Sequence, residues 1–448
     1  MSTRRQLHLN AFIMPNGHHE AAWRHRSTRP TQALTLQHYV DIARTAERGL
    51  LDSVFLADTV ALGGNVRHNS HSAFEPLTLL SALAASTERV GLIATASTTY
   101  NHPYTLARAF ASLDHLSGGR AGWNIVTSGT RDEAANFGIT RPDHSRRYER
   151  AAEFVELAAA LWDSFGDGAV LADAERGIYA DTDLIHPVDH HGEHFDVAGP
   201  LNVPRPVQGY PLLVQAGSSA TGRAYAARYA EAVFTAQQTL EEGIAFYDDL
   251  KGRLADHGRS RDELLVLPGI SPVIGSTQEE ARRLEAEINA GIVPAYGLAQ
   301  LSSMLDIELT EDQLDEPLPH IDEVTQGNQS RFTLVTELAR REELTVRQLI
   351  ERLAGGRGHR VLAGTPEQIA DDLETWFTKG AADGFNIMPP TYPQGLEVFV
   401  DTVVPILQQR GLFRTEYTGT TLREHYGLAR PSAGHIATTT TSSKEQAA

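Results

Sequence analysis

The sequence predicts an α/β protein built as a (β/α)8 TIM barrel with insertions. Three observations carry this reading. Four strand–loop–helix units follow one another between Leu7 and Trp162, the pattern of a parallel sheet with helical crossovers. Four more short apolar runs, each followed by helical spacing, continue to Met388 and complete a set of eight. The chain has 448 residues, where eight β/α units need ~250. The surplus gathers in three excursions, residues 15–35, 163–208 and 287–364.

The units read as follows. Leu7 to Met14 (LHLNAFIM) is a short buried strand. Leu36 to Arg48 has apolar residues at helical spacing (Leu36, Val40, Ala43, Ala46) and stops at Gly49 as at a C-cap. Ser53 to Ala57 is a second strand, closed by Asp58, and Pro76 to Ser86 is an apolar helix. Val90 to Ala94 is a third strand, closed by Thr95, and Leu106 to Leu116 is the next helix. A turn at Ser117-Gly118-Gly119 leads into a fourth strand, Ala121 to Val126, which ends in Thr127 and Ser128. A polar loop then carries His144 and Tyr148 to a helix over Tyr148–Trp162.

Asp163 to Gln208 looks loop-like. Pro211 to Ala216 is a strand; Gly217, Ser218 and Ser219 follow it, and a helix starts near Ala220. Ala232–Ala236, Leu264–Ile274 and Phe385–Met388 complete the eight strands. Helices at Leu240–Asp256, Thr277–Ala290, Pro366–Thr378 and Leu396–Gln409 lie between or after them. Glu287 to Gly364 is too long for a simple crossover and reads as a mostly helical insertion, a candidate lid. Residues 1–430 are expected to form one domain, and the Ser/Thr-rich residues 431–448 a disordered tail.

Composition narrows the function. With 41% hydrophobic residues the chain can bury a full core. It has no run of eighteen apolar residues, and MSTRRQLHLNAF lacks the apolar core of a signal peptide. Zero cysteines exclude disulfides and thiolate chemistry. Together these point to a cytoplasmic protein. The net charge of -18 disfavours nucleic acid or an anionic membrane as partner.

In a parallel barrel, polar residues just past the carboxyl ends of the strands converge on one rim, where ligands bind. Here that rim would carry Asp58, Thr95, Thr127–Ser128 and Gly217–Ser219. Ser219 before a helix is most simply an N-cap. In company with other rim residues, it becomes a phosphate seat. His144 and Tyr148, spaced i and i+4, share a helix face; Arg146 and Arg147 beside them read as solvated. His190, His191 and His194 sit near Asp189 and Glu193 without a helical pattern, so no metal site is expected. No G-x-G-x-x-G follows a strand, and neither a P-loop nor a G-x-S-x-G elbow is present.

Several segments together resemble one family: LHLNAF at 7–12, GHHEAAWRH at 17–25, FLAD at 55–58 and TTYNHPYTLAR at 98–108. LDHLSGGRAGWNIVTS at 113–128, NFG at 136–138, GPLNVPRP at 199–206, QAGSS at 215–219 and DGFNIMPP at 383–390 extend the likeness. The chain resembles the bacterial luciferase-like, flavin-dependent monooxygenases. Its branch is that of nitrilotriacetate, EDTA, dibenzothiophene-sulfone and long-chain alkane monooxygenases. The resemblance implies a TIM barrel that uses reduced FMN, delivered by a separate NAD(P)H:flavin reductase, with O2 as co-substrate. It implies that FMN is held by Asp58, Thr95, Thr127, His144, Tyr148, Gly217, Ser218 and Ser219, with the two serines and Tyr148 on the phosphate. Asp58 and Thr95 would lie near the ring system.

His19 is the candidate catalytic histidine, with Phe12 and Trp23 as candidate walls of the substrate pocket. Where the alkane enzymes carry a histidine after the Thr-Ser pair, this chain has Gly129, so the pocket floor differs from theirs. The implied reaction oxygenates a small organic molecule at or next to nitrogen or sulfur, with C–N or C–S cleavage as a further outcome. Family habit suggests a homodimer or homotetramer. Two other classes fit the same barrel: a deazaflavin-dependent oxidoreductase, and a small-ligand-binding barrel without redox chemistry.

Overall fold

The computed structural model describes residues 5–62, 66–68, 74–217, 219–321 and 329–436; the side chains of 329–331 are outside this description. Its strands are β1 (His8–Ile13), β2 (Ser53–Leu56), β3 (Gly91–Ser97), β4 (Ala121–Val126), β5 (Val170–Asp173), β6 (Ile178–Ala180) and β7 (His190–His191). β8 (Asp196–Val197), β9 (Leu212–Ala216), β10 (Ala232–Thr235), β11 (Leu265–Ile274), β12 (Arg360–Gly364) and β13 (Gly384–Ile387) follow. Eight of them close a parallel barrel in the order β1, β2, β3, β4, β9, β10, β11, β13 and back to β1. These are the eight strands expected from the sequence.

Alternation along each strand builds two cores. Trp123, Ile125 and Leu213 face the surrounding helices, while Phe12, Phe55, Ile93, Val214, Phe234 and Met388 fill the barrel. Phe12 stacks on Phe55 (4.7 Å) and meets Phe234 edge-on (5.2 Å). Leu422 and Tyr426, from the C-terminal segment, join this inner core. Leu422 seats against Gly91 and Gly122, and a Cβ on Gly91 would lie 2.4 Å from its Cδ1. Next to this plug, Asn10 accepts from Tyr426 Oη (2.7 Å) and Ser53 Oγ (2.8 Å) and donates to Asn386 Oδ1 (3.2 Å). The buried Asn10 amide is therefore hydrogen-bonded on both sides.

The turn before β4 is fixed with unusual care. Helix Pro103–Ser117 ends with Gly118 at φ 69°, and Gly119 follows at φ 92°, both in left-handed conformations. Arg120, 2% exposed, then donates five hydrogen bonds, to Ser117 O, Thr87 Oγ1, Thr87 O, Val90 O and Ala84 O. These acceptors satisfy the buried guanidinium without a carboxylate, and they tie the entry of β4 to that of β3.

Three differences from the sequence reading have local causes. Residues 163–208 are not a plain loop: β5 pairs with β6, and β7 with β8, as small antiparallel hairpins. β12 is a ninth parallel strand, hidden after the glycine-rich run 355–358. It exists because β11 runs ten residues. β11 pairs with β13 only through Gly269 and Ile270, which leaves Ile270–Ile274 for β12. The chain is also packed beyond 430: Arg205 donates to Pro431 O (2.9 Å), Gly434 N to Asp163 Oδ2 (2.7 Å), and Ile436 is buried. Residues 437–448 of the expected tail lie outside the described residues.

Excursion 287–364 contains helices Pro294–Leu305, Gln329–Arg341 and Val346–Ala354. They pack around their own core, in which Leu301, Leu305, Val335, Leu338, Val346 and Leu349 are buried. Among the described residues, no helix is long and apolar enough to cross a membrane.

Candidate functional site

A cavity of ≈370 Å³ opens at the carboxyl ends of β4, β9 and β10. β4 contributes the run from Ile125 to Thr130; β9 contributes Gln215, Gly217 and Ser219; β10 contributes Phe234 and Thr235. Helix His144–Asp163 adds His144, Arg147 and Tyr148, and the long insertion adds Leu334 and His359.

The geometry follows from two helix starts. The first helix begins at His144, so His144 and Tyr148 lie one turn apart on one face, ring centroids 5.0 Å apart. Tyr148 packs edge-on against Tyr225 (5.5 Å) and hydrogen-bonds with Ser219. The second helix, Ala220–Tyr229, begins at Ser219, whose Oγ accepts from Gly222 N–H (3.0 Å). Gly222 keeps this corner open, since a Cβ there would stand 3.1 Å from Ser219 Oγ and 3.3 Å from Tyr148 Oη. Burial raises the Tyr148 phenol, so it remains a hydrogen-bond donor at neutral pH. Burial and then the neighbouring Arg147 push the His144 imidazole down, favouring its neutral form.

Beneath this corner several buried polar atoms lack partners among the described residues. Gln215 is 3% exposed and its Oε1 makes no hydrogen bond. Arg147 is 5% exposed; Nη1 donates to Ser128 O (2.7 Å), while Nε is unpartnered. The helix start and the two hydroxyls at one corner form a seat for an anion such as a phosphate. Ile125, Phe234 and Tyr225 supply an apolar surface beside it. This donor set fits a phosphate-bearing aromatic cofactor.

The structure brings together five of the expected site residues: Thr127, His144, Tyr148, Gly217 and Ser219 line this cavity. Ser218 lies outside the described residues. The remaining candidates are elsewhere. β3 runs on to Ser97, so Thr95 sits in the barrel wall, where it accepts from Asn124 Nδ2 (2.8 Å). Asp58 follows β2 in an exposed position, its carboxyl raised by partial desolvation and by Glu75 and Glu133. Phe12 belongs to the inner core, and Trp23 donates from Nε1 to His68 O (2.9 Å).

His19 does not face the cavity. Its Nδ1 accepts from Ala21 N–H (3.0 Å), which leaves Nε2 to donate to Asn289 Oδ1 (2.9 Å). Burial pushes its pKa down to about 4. Its neighbour His18 is fully buried against Phe12 (4.6 Å), and burial pushes its pKa to about 3. In the excursion, His190 bonds Glu153 (3.0 Å) and His191 bonds Asp196 (2.9 Å). No group of three or more His, Asp or Glu able to hold a metal is found among the described residues.

Sequence reasoning missed Gln215, Arg147, Phe234, Leu334 and His359 as cavity residues. Gln215 and Phe234 stand within or at the end of strands, where strand-end logic could have reached them. Arg147, read as solvated, is buried. His359 is brought in by β12 and stacks on Phe234 (4.7 Å, 5°).

The fold is a TIM barrel with a candidate ligand site on its carboxyl rim. The family model for luciferase-like monooxygenases matches residues 17–383. The chain is 50% identical to nitrilotriacetate monooxygenase component A of Aminobacter aminovorans, covering 96% of this chain and 98% of that protein. It is 48% identical to N-acetyl-S-(2-succino)cysteine monooxygenase of Bacillus subtilis (strain 168), with the same coverage. A solved structure of riboflavin lyase with modified FMN and riboflavin superimposes with a TM-score of 0.87 at 31% identity, over 97% of this chain and 99% of the other. The chain belongs to the luciferase-like monooxygenase family.

Proposed function

We propose that this protein is the oxygenating component of a two-component monooxygenase. It would take reduced FMN from a separate NAD(P)H:flavin reductase and use O2 to oxygenate a small organic substrate at or next to nitrogen or sulfur. In balance, substrate–H, FMNH2 and O2 give substrate–OH, FMN and water. Hydroxylation of a carbon bearing nitrogen or sulfur makes a product that expels the heteroatom group, which cleaves a C–N or C–S bond.

The observation that carries the cofactor is the anion seat at Ser219, Tyr148 and the start of helix Ala220–Tyr229, with buried, unpartnered Gln215 Oε1 beside it. The similarity to a riboflavin lyase solved with modified FMN supports the same reading. In this reading Ser219, Ser218 and Tyr148 hold the phosphate, and Gln215 accepts from the cofactor. Bound reduced FMN would supply the activation of O2. The chain's own task is to exclude water and to orient substrate. Leu334 and Phe234 give the cavity apolar cover. His144, held neutral, is positioned to accept a proton at the cavity edge. Thr127 is retained as a cavity contact; Asp58 and Thr95, expected near the ring system, are not among the residues lining the cavity.

Rapid mixing of the anaerobic protein, loaded with reduced FMN, with aerated buffer tests this. Flavin reoxidation that is slower than for free FMN, and substrate-coupled O2 uptake with a reductase present, would support the reading. Reoxidation identical to that of free FMN would sink it.

A further inference from the structure

Arg147 is left over by the flavin reading. Other arginines of comparable burial have an anion or a full set of acceptors. Arg205 pairs with Asp163 and Asp167, Arg423 with Glu231, and Arg120 has its five oxygens. Arg147 has no carboxylate within ion-pair distance among the described residues, and its one hydrogen bond is to Ser128 O. Glu133, whose charge favours the Arg147 cation, is hydrogen-bonded elsewhere: its Oε2 accepts from Thr130 N–H (3.1 Å), Thr130 Oγ1 (2.9 Å) and Gly129 N–H (3.3 Å). A buried cation without a counter-charge is costly, and an anion that completes it is bound strongly.

The local backbone is shaped around this guanidinium. A Cβ on Gly129 would stand 1.7 Å from Arg147 Nη1, so only glycine lets the side chain lie there. Nη1 is tied to the Ser128 carbonyl just past β4, and Nε is buried without a partner, which leaves the Nε–Nη2 edge of the fork. That edge presents two parallel N–H donors, the geometry that takes a carboxylate or sulfonate side-on. The phosphate seat at Ser219 has its own donors in the helix start and the Tyr148 hydroxyl.

We propose that Arg147 anchors an oxyanion of the substrate, distinct from the flavin phosphate, so that the substrates are small organic acids. This rests on the flavin reading of the same cavity. The chain would fix a carboxylate or sulfonate on Arg147 and so set which carbon, beside nitrogen or sulfur, faces the cofactor. Arg147 is a specificity residue in this scheme.

Calorimetric titration tests it. Wild-type protein, with and without FMN, is titrated with nitrilotriacetate, a thioether dicarboxylate and an alkanesulfonate, each against its neutral ester. The expected result is at least one acid bound tenfold or more tightly than its ester. In Arg147→Met that acid weakens tenfold or more, FMN and riboflavin affinities stay within twofold of wild type, and Arg147→Lys recovers part of the loss. Circular dichroism confirms that the variants fold. The proposal is overturned if no acid is preferred to its ester in the wild type, or if Arg147→Met keeps the acid affinity. It is also overturned if Arg147→Met weakens FMN tenfold but not riboflavin, since the cation then serves the flavin phosphate. Failure of wild type to bind FMN at all is a separate result, and it sinks the cofactor reading instead.

Discussion

Tyr148→Phe removes one oxygen atom from the proposed phosphate seat and leaves the ring where it is. The ring packs on Tyr225 and lies against His144, so the helix face is preserved. The hydroxyl's partner, Ser219, still accepts from Gly222 N–H, so no buried group is orphaned. The cost in stability should therefore stay below ~1 kcal/mol. The cost in binding is larger. A hydrogen bond to a charged phosphate contributes about 1.5–3 kcal/mol, which is roughly 10–150-fold in affinity.

In the proposed arrangement the contact is to the phosphate alone, so the loss should appear with FMN and not with riboflavin. Anaerobic fluorescence titrations of both reduced flavins, on wild type and variant, read this directly. FMN should weaken by about one to two orders of magnitude, and riboflavin by no more than about twofold. Equal weakening of both flavins would place the hydroxyl against the ring system, and no weakening of either would remove Tyr148 from the site.

Acid should destabilise the fold through the cluster at the top of β1. Burial holds His18 and His19 near 3 and 4, against an ordinary 6.5, and raises Glu20 from 4.5 to about 7. Between pH 6.5 and 4.5 the unfolded chain binds two histidine protons that the folded chain lacks. The folded chain keeps one proton on Glu20 that the unfolded chain releases. The net difference of about one proton makes stability fall by roughly 1.4 kcal/mol per pH unit as pH drops through that window. Urea denaturation at pH 6.5 and 5.0 measures it, and a flat or rising profile would refute it. Leu422→Ala empties the plug between Gly91 and Gly122 and should cost about 2–5 kcal/mol, seen in the same denaturation assay, with FMN affinity unchanged. Leu334→Ala trims apolar cover supplied by the insertion; about 1 kcal/mol of lost burial predicts a severalfold higher KM in reductase-coupled O2 uptake, with FMN binding intact.

All eight barrel strands and most of the helices are legible in the sequence, because each is marked by local periodicity and by its bounding turns. Helix Leu36–Arg48 follows its spacing to the residue. The rim residues His144, Tyr148 and Ser219 could likewise be placed, since strand ends and helix starts are local features. Which side chains share a cavity was not local. Thr95 is drawn into the wall because the pairing of β3 with β4 continues through Ser97 and Val126. His19 is claimed by Asn289, 270 positions away.

Arg147 looked like any arginine on an exposed helix until Gly129 and the Ser128 carbonyl, 18–19 residues upstream, were folded against it. β12 exists only because β11 is longer than its neighbour. The sequence by itself determined the elements and the rim on which they end, since φ/ψ preference and hydrophobic periodicity act over a few residues. The environment of each titratable side chain was decided by tertiary closure, because desolvation and hydrogen-bond partners depend on whichever distant segment arrives beside it.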